Sequence, residues 1–379
     1  MPSVHEQKKA LAAVSKEGGG RAMKRIPLAL LGATLLSAGC KSIGPATMNH
    51  DRLEYTGSVA DSWQTQMLLN LVKIRYGDTP VFLDVGQIVA GYSFQRTLGA
   101  SASVPFNSAL ATGTVGAVVG GTFNESPTIT YSPMTGERFA RSLMTPIPPS
   151  VILNLIQAGY PVDEVFRESV QSINHVDNRR VGRDFVRRAN PEFYAILPNL
   201  SRLQMSGDIG VRVEQAGPEA KLHLIFRPRI AAAEERALQN VAKILGLDPA
   251  AREIQVVYGT VERNDREIAL LTRSIFEILT DMASSIEVPE AHVTQRRVNP
   301  TPDWDVGADG PIPPLIRVAS STERPADALV SVPYRGYWFS IDDKDIHSKQ
   351  IFSSILFLFT FVETGSKEAA PVLTIQTTR

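Results

Sequence analysis

The feature that most constrains the fold is a stretch without a single charged residue, TLGASASVPFNSALATGTVGAVVGG, from Thr97 to Gly121. In the chain as a whole, 21% of the residues are charged. Apolar residues occupy the even positions before Asn107 and the odd positions after Ser108. This period of two is typical of a β-strand with one apolar face. The stretch therefore predicts two strands rather than a helix or a random linker.

The apolar residues move from even to odd positions between Asn107 and Ser108, and this change predicts where the chain turns between the two strands. A two-residue turn at Asn107 and Ser108 would pair Ala100 with Val115 and place both apolar sets on one face. We therefore expect a long β-hairpin over residues 90–124. Three roles for it are open: an arm packed on this chain or on a partner, a mobile loop, or a membrane insertion. About ten residues per arm, tilted by about 40°, would cover the apolar band of about 25 Å in an outer-membrane barrel.

Length and charge limit which folds and partners are open to the chain as a whole. With 379 residues, of which 43% are hydrophobic, it can bury a sizeable core in two or three subdomains. The 39 Lys and Arg residues balance the 39 Asp and Glu residues, so we expect no nucleic-acid partner. The six histidines are scattered, and the sequence has no HExxH, GxSxG or phosphate-binding Gly-Lys-Ser/Thr pattern. We therefore predict no catalytic residue, no metal site and no cofactor.

The N-terminal region has the three parts of an export signal. From Met23 the chain reads MKRIPLALLGATLLSAGC, with two cations, an apolar run and small residues before Cys40. The apolar run is shorter than the ~20 residues that a membrane-spanning helix needs. Residues 1–39 are therefore predicted to be a removable signal. Within it, residues 1–22 are either a long cationic leader or, as we favour, residues upstream of the true start at Met23.

The end of this signal resembles the lipobox of bacterial lipoproteins. It reads LSAGC and consists of Leu36, Ser37, Ala38, Gly39 and Cys40. The resemblance implies that Cys40 is acylated, becomes the first residue of the mature chain and anchors it in a membrane. Two or three acyl chains would make that anchor stable. Because Lys41, not an acidic residue, follows the cysteine, the resemblance further implies the outer membrane, facing the periplasm.

The body of the chain is predicted to be α+β, with small mixed sheets, packed helices and a long protruding β-hairpin. Its expected parts are a tether over 40–54, a helix plus the hairpin over 55–145, an α+β core over 146–290, and over 291–379 a Pro-rich linker, strands and a buried helix. Within these parts we expect a helix from about Asp61 to Gly77 and a hairpin turn at Gly217 and Pro218. A helix carrying the apolar residues from Ile268 to Met282 is also expected.

Two polar groups are candidates for a binding or catalytic role. The first is a basic cluster, made of Arg179, Arg180, Arg183, Arg187 and Arg188. It could bind anionic lipid or an acidic partner, but interleaved aspartates favour a solvated face. The second is the sequence DDKDIH, with Asp342, Asp343, Asp345 and His347. It could hold a cation or serve a hydrolase, but a solvated turn before a helix that Ser348 caps is the favoured interpretation.

Three hypotheses for function follow. Stretches such as YSPMTGERFARSLMTPIPP resemble bacterial lipoproteins to which no activity is assigned. This resemblance supports a location in the cell envelope and implies no activity. The favoured hypothesis is a lipid-anchored, non-enzymatic scaffold or assembly factor with protein partners in the envelope. One alternative is a ring-forming export or pore component that inserts the 90–124 hairpin. The other is a hydrolase that uses the carboxylates around Asp342.

Overall fold

The computed structural model describes residues 43–89, 92–103, 114–125, 128–182, 185–216, 219–307 and 310–363. The predicted signal, Cys40 with its lipobox, and the predicted turn at Asn107 and Ser108 lie outside these residues. Helices and several small sheets alternate along the described chain, so the α+β class is confirmed. In the described part of the chain, no helix combines the length and the apolar character that crossing a membrane requires.

The helices and strands are numbered separately in chain order. The helices are α1 (Ile43–Arg75), α2 (Gly136–Phe139), α3 (Pro149–Gln157), α4 (Val162–Ser169), α5 (Pro191–Met205), α6 (Ala232–Leu245), α7 (Ile275–Ser284), α8 (Glu290–Thr294) and α9 (Ile346–Glu363), and a π-helical turn over Ala140–Met144 follows α2. The strands are β1 (Leu83–Val89), β2 (Tyr92–Ser103), β3 (Thr114–Glu125), β4 (Thr128–Pro133), β5 (Val170–Ile173), β6 (Val176–Asp177), β7 (Arg180–Val181), β8 (Val186–Arg187), β9 (Ile209–Ala216), β10 (Glu219–Phe226), β11 (Glu253–Tyr258), β12 (Glu267–Thr272), β13 (Asp305–Gly307), β14 (Gly310–Ile312), β15 (Ala319–Ser321), β16 (Ala328–Tyr334) and β17 (Tyr337–Asp342).

Helix α1 starts earlier than its sequence pattern predicts. It begins at Ile43 rather than near Asp61, so residues 43–54 of the predicted tether are helical. Its C-terminal half coincides with the predicted helix, and Met67 and Leu71 in that half are buried in the core. The helix ends before Gly77, which adopts the left-handed conformation (φ 74°) that favours glycine after a helix.

A six-stranded mixed sheet forms the centre of the fold, in the order β6-β5-β12-β11-β10-β9. Strands β11 and β12 are parallel, and the other neighbours are antiparallel. Strands β9 and β10 form the predicted hairpin, with Val211 opposite Leu224 and Val213 opposite Leu222. Helices α5 and α6 pack against each other, and apolar side chains from both join the core.

The helix predicted across Ile268 to Met282 is wrong in its first half. Residues Glu267–Thr272 are the interior strand β12, and the helix begins only at Ile275. A strand buried on both faces is a continuous apolar run and lacks the alternation that identifies half-buried strands. The boundary has a local cause, since Ser274 and Glu277 form a capping box at the start of α7.

A smaller sheet of β15, β17 and β16 lies in the C-terminal part of the chain. Strands β16 and β17 meet at Arg335 (φ 47°) and Gly336 (φ 87°), two successive residues with positive φ, as a type I′ hairpin turn requires. Helix α9 contributes Ile351, Phe352 and Ile355 to the core. This confirms the predicted buried helix, although it begins at Ile346.

Candidate functional site

Strands β1 to β4 form two two-stranded sheets. Strand β1 pairs with β4 and β2 pairs with β3, both antiparallel. The register is the same on both pairs: Val89 lies opposite Thr128, and Tyr92 lies opposite Glu125. The register shifts at a bulge near the base, between Val85 and Gln87. We call these four strands the ribbon; the hairpin predicted over 90–124 is its outer part.

The predicted register of the ribbon was wrong by two residues. Val115 lies opposite Ala102, not opposite Ala100. The shift preserves parity, so apolar residues still face apolar residues across the pair, as Leu98 faces Val119. Alternation determines which residues share a face, but a slip of two residues leaves that face unchanged. The sequence pattern therefore could not distinguish the two registers.

Two side-chain amides of α1 fix the base of the ribbon. Asn70 donates to the carbonyl oxygen of Val81 (2.8 Å) and accepts from its N–H (2.9 Å). Gln66 makes the same two-way contact with Leu83, donating at 2.9 Å to its carbonyl oxygen and accepting from its N–H. Each amide therefore makes the pair of hydrogen bonds that a residue of a neighbouring strand would make. The ribbon consequently emerges from a defined point on α1.

Several apolar side chains near the base of the ribbon are exposed. Among the described residues, no third strand pairs with it. Near its base the side chains of Leu83, Ile129 and Tyr131 are 42%, 41% and 55% exposed. A two-stranded hairpin alone is marginally stable in water, and its edges present unpaired N–H and C=O groups. These features are typical of an element that is completed by packing against another surface.

The acidic turn before α9 acts as a helix cap. Asp345 accepts from the N–H (3.1 Å) and the hydroxyl (2.7 Å) of Ser348, so Asp345, not Ser348, caps the helix. Asp342 accepts from the backbone of Lys344 (2.8 Å), and Asp343 pairs with Lys349 (2.6 Å). Within the described ranges, no group of three or more His, Cys, Asp or Glu residues could hold a metal ion. No observation here favours the hydrolase hypothesis.

The predicted basic cluster does not form one face. The side chain of Arg179 is only 14% exposed and contacts Asp281 (3.2 Å) and Asp305 (3.4 Å). Arg187 and Arg188 are 62% and 58% exposed. The interpretation as a solvated face is therefore wrong for Arg179, while these two arginines do lie at the surface. Arg180 is also exposed, and Arg183 lies outside the described residues.

Arg179 belongs to a buried ionic network. Arg273, only 1% exposed, donates to Asp281 (2.9 Å) and to the carbonyl oxygens of Arg167 and Glu168 (3.3 Å each). At its other end, the hydroxyl of Tyr194 donates to Asp305 (2.9 Å). Burial and the adjacent charge of Asp305 raise the pKa of Tyr194. The network connects residues that lie far apart in the sequence, so no local motif could have revealed it.

Glu168 is a buried carboxyl group, only 2% exposed. Its Oε2 atom accepts from the hydroxyl of Ser354 (2.9 Å), whereas Oε1 has no hydrogen-bond partner among the residues that the structure describes. Burial raises the pKa of Glu168 to about 8, and the nearby charge of Glu164 adds to that effect. Glu168 is therefore mostly neutral at pH 7 in the folded protein.

Comparison with known proteins supplies no relative: no family model, no curated protein and no solved structure matches the chain. A function can therefore be inferred only from the chain's own residues. The ribbon is the feature on which we base that inference.

Proposed function

We propose that this protein is a lipid-anchored component of the bacterial cell envelope that acts as a non-enzymatic scaffold or assembly factor. The anchor would be the acyl chains on Cys40, placing the protein at the outer membrane on the periplasmic side. The ribbon is the element that would engage a protein partner. One observation carries the proposal: a long two-stranded ribbon that starts from a fixed point on α1.

The residues of the ribbon favour a protein partner over lipid. The even-numbered positions of β2 are mostly apolar, but they include Arg96, which lies opposite Gly121. At a lipid-facing position near the membrane centre, an arginine costs about 2–4 kcal/mol. A protein surface with an acidic side chain or a carbonyl oxygen at that point can bind it. Most of the other residues at these positions and opposite them in β3 are small or aliphatic, which suits close packing on a protein surface.

Length favours a second candidate function, a ring-forming export or pore component. Strands β2 and β3 have 12 residues each, which corresponds to ~40 Å of extended chain. Tilted by about 40°, they would cover roughly 30 Å, enough for the apolar band of about 25 Å in an outer-membrane barrel. In that arrangement each subunit would contribute one hairpin to a shared barrel.

An aspartate at one of the alternate positions of the ribbon that are mostly apolar is expected to prevent assembly of the protein into its complex. Leu98 lies opposite Val119, whereas its neighbour Thr97 has the opposite parity and lies opposite Gly120. We expect Leu98→Asp to abolish the complex found in envelope extracts, since a charge would be buried without a partner. Thr97→Asp, which adds the same charge one residue away, is expected to leave it intact. Both variants would be tested by mass photometry of the complexes that are purified with the full chain from mildly cross-linked envelope extracts.

The same experiment separates the two candidate functions. A complex that contains other envelope proteins supports the scaffold. A closed ring of identical chains supports the pore, as would ion conductance in a planar bilayer. If Leu98→Asp and Thr97→Asp both leave the complex unchanged, the ribbon is not the assembly element and the proposal fails.

Removal of the predicted acylation site is expected to release the protein from the membrane. The acyl chains of a lipoprotein contribute ~0.8 kcal/mol for each buried CH₂, and none of the described helices could replace them as a span. We expect Cys40→Ala to move most of the protein to the soluble fraction, measured by membrane flotation. Lys41→Ala is the control and should remain bound. Flotation of Cys40→Ala with the membranes would contradict the anchor.

A further inference from the structure

A large apolar cavity lies between the six-stranded sheet and the helices packed on it. Its volume is about 560 Å³. Leu153, Phe166 and Leu200 line it on the helical side. Leu224 and Ile254 line it from the sheet. All five side chains are buried, and the lining comes from α3 to α6 and from β5 and β9 to β12.

The size of this cavity is typical of a binding site rather than of a packing defect. Protein interiors contain few voids larger than a water molecule. Small-molecule sites have volumes of about 300–1,000 Å³ and mostly apolar linings. A cavity of about 150 Å³ lined by similar residues already holds benzene, so this one has room for an apolar ligand several times larger. An elongated hydrocarbon chain fits both the volume and the lining.

The cavity reaches the surface beside the C-terminal ends of α3 and α5. Gly159 (φ 99°) and Gly207 (φ 71°) follow these helices and line the cavity. Gln204 holds the two ends together: it donates to the carbonyl oxygens of Ile156 (2.9 Å) and Tyr160 (2.7 Å) and accepts from a backbone N–H in α4 (3.0 Å). The neighbouring side chain of Met205 also lines the cavity and is 85% exposed. The opening is therefore lined by polar backbone groups, whereas the interior of the cavity is lined by apolar side chains.

The cation of Arg227 lies beside this opening. The Nη2 atom of Arg227 lies 3.8 Å from the position that a Cβ on Gly207 would occupy. Arg227 is exposed, and its guanidinium makes no hydrogen bond or ion pair with any residue that the structure describes. An arginine at the mouth of an apolar cavity can bind the carboxylate or phosphate of an amphiphile whose chain is inside.

We propose that this cavity binds the hydrocarbon chain of a single-chain lipid with an anionic head group, and that Arg227 binds the head group. A long-chain fatty acid is the simplest member of this class. The cavity is separate from the ribbon, so the proposal does not depend on the assembly function.

Binding of palmitate tests the cavity directly. The full chain, transferred from detergent to amphipol, would be titrated with tritiated palmitate. Leu238→Trp adds bulk inside the cavity and is expected to lower the affinity at least tenfold. Val261→Trp, at a side chain that is 75% exposed, is the matched control and should bind as the unaltered chain does.

A charge substitution tests the head-group contact. We expect Arg227→Gln to weaken palmitate binding about fivefold and to leave the binding of hexadecanol, which has no charge, unchanged. Lys243→Gln removes an exposed cation from α6 and serves as the control. Equal affinities of Arg227→Gln and the unaltered chain for palmitate would remove the head-group assignment.

Two results would overturn the cavity proposal. One is the absence of saturable palmitate binding by the unaltered chain, together with no rise of its thermal unfolding midpoint as palmitate is added. The other is unchanged affinity in a Leu238→Trp protein that is folded by circular dichroism. The unfolding midpoint of the unaltered chain decides the question even if Leu238→Trp does not fold.

Discussion

Replacement of Asp281 by asparagine is expected to lower the free energy of unfolding by about 3–5 kcal/mol, because it leaves buried arginines without their counter-charge. Asp281 accepts from Arg273 (2.9 Å) and Arg179 (3.2 Å), and Arg273 is 1% exposed. The loss is large because a buried charge cannot regain its hydration. The unfolding midpoint in urea would measure it.

An exposed ion pair supplies the control for this prediction. Asp327 and Lys344 are 3.1 Å apart, with side chains 74% and 77% exposed. Asp327→Asn should cost no more than about 1 kcal/mol, since surface pairs contribute little. The double variant Arg273→Met with Asp281→Leu should be less destabilised than the sum of the two single changes. If Asp281→Asn is as stable as Asp327→Asn, the network does not contribute as described.

The free energy of unfolding is expected to fall as the pH rises, and Glu168 is the cause. Its pKa is about 8 in the folded protein, against an ordinary value of 4.5. Between these values the folded state retains a proton that the unfolded state has lost, so stability is fully present below about pH 4.5 and is lost as the pH rises to about 8. The full loss is about 5 kcal/mol, from about 1.4 kcal/mol per unit of pKa.

Glu168→Gln should remove most of this pH dependence. Glutamine has the shape of a protonated glutamate and can still accept the hydrogen bond from Ser354. The variant is therefore expected to be more stable than the unaltered protein at pH 8.5 and equally stable at pH 4.5. Glu287→Gln, at an exposed site, should change neither value. Parallel stability curves for Glu168→Gln and the unaltered protein between pH 4.5 and 8.5 would contradict the assignment.

Hairpins were the most predictable part of this fold. The sequence predicted a hairpin on the two sides of Gly217 and Pro218, and β9 and β10 do pair with each other, with Val211 opposite Leu224. In the ribbon, alternation predicted the pairing and the shared face but not the register, because it repeats every two residues. A hairpin is local, so its pattern and its turn lie in one stretch of sequence.

Elements buried on all sides were the least predictable. Strand β12 has neighbours on both edges of the sheet, and its apolar run was interpreted as a helix. The capping box of Ser274 and Glu277 was present in the sequence and could have marked where α7 begins. The cap by Asp345 was displaced by three residues from the prediction at Ser348, since both are good capping residues and only geometry decides between them.

Groups assembled from distant segments had no sequence signal. Arg179 was predicted to lie on a solvated face with its neighbours, yet its partners are Asp281 and Asp305, over a hundred residues away. The apolar cavity draws on four helices and five strands, and each lining residue resembles ordinary core. Whether apolar side chains close over a void depends on how the layers meet, which no single segment encodes.

The sequence by itself determined the α+β class, the paired strands of the ribbon and their common apolar face, because these follow from local periodicity, turns and caps. The functional proposal also uses the export and acylation signal that the sequence predicts. Only the tertiary structure decided the register of the ribbon, the burial of Arg179 and Glu168, and the cavity beneath the sheet. These depend on which surfaces meet in three dimensions and on the loss of water between them, and such contacts join residues that the sequence keeps apart.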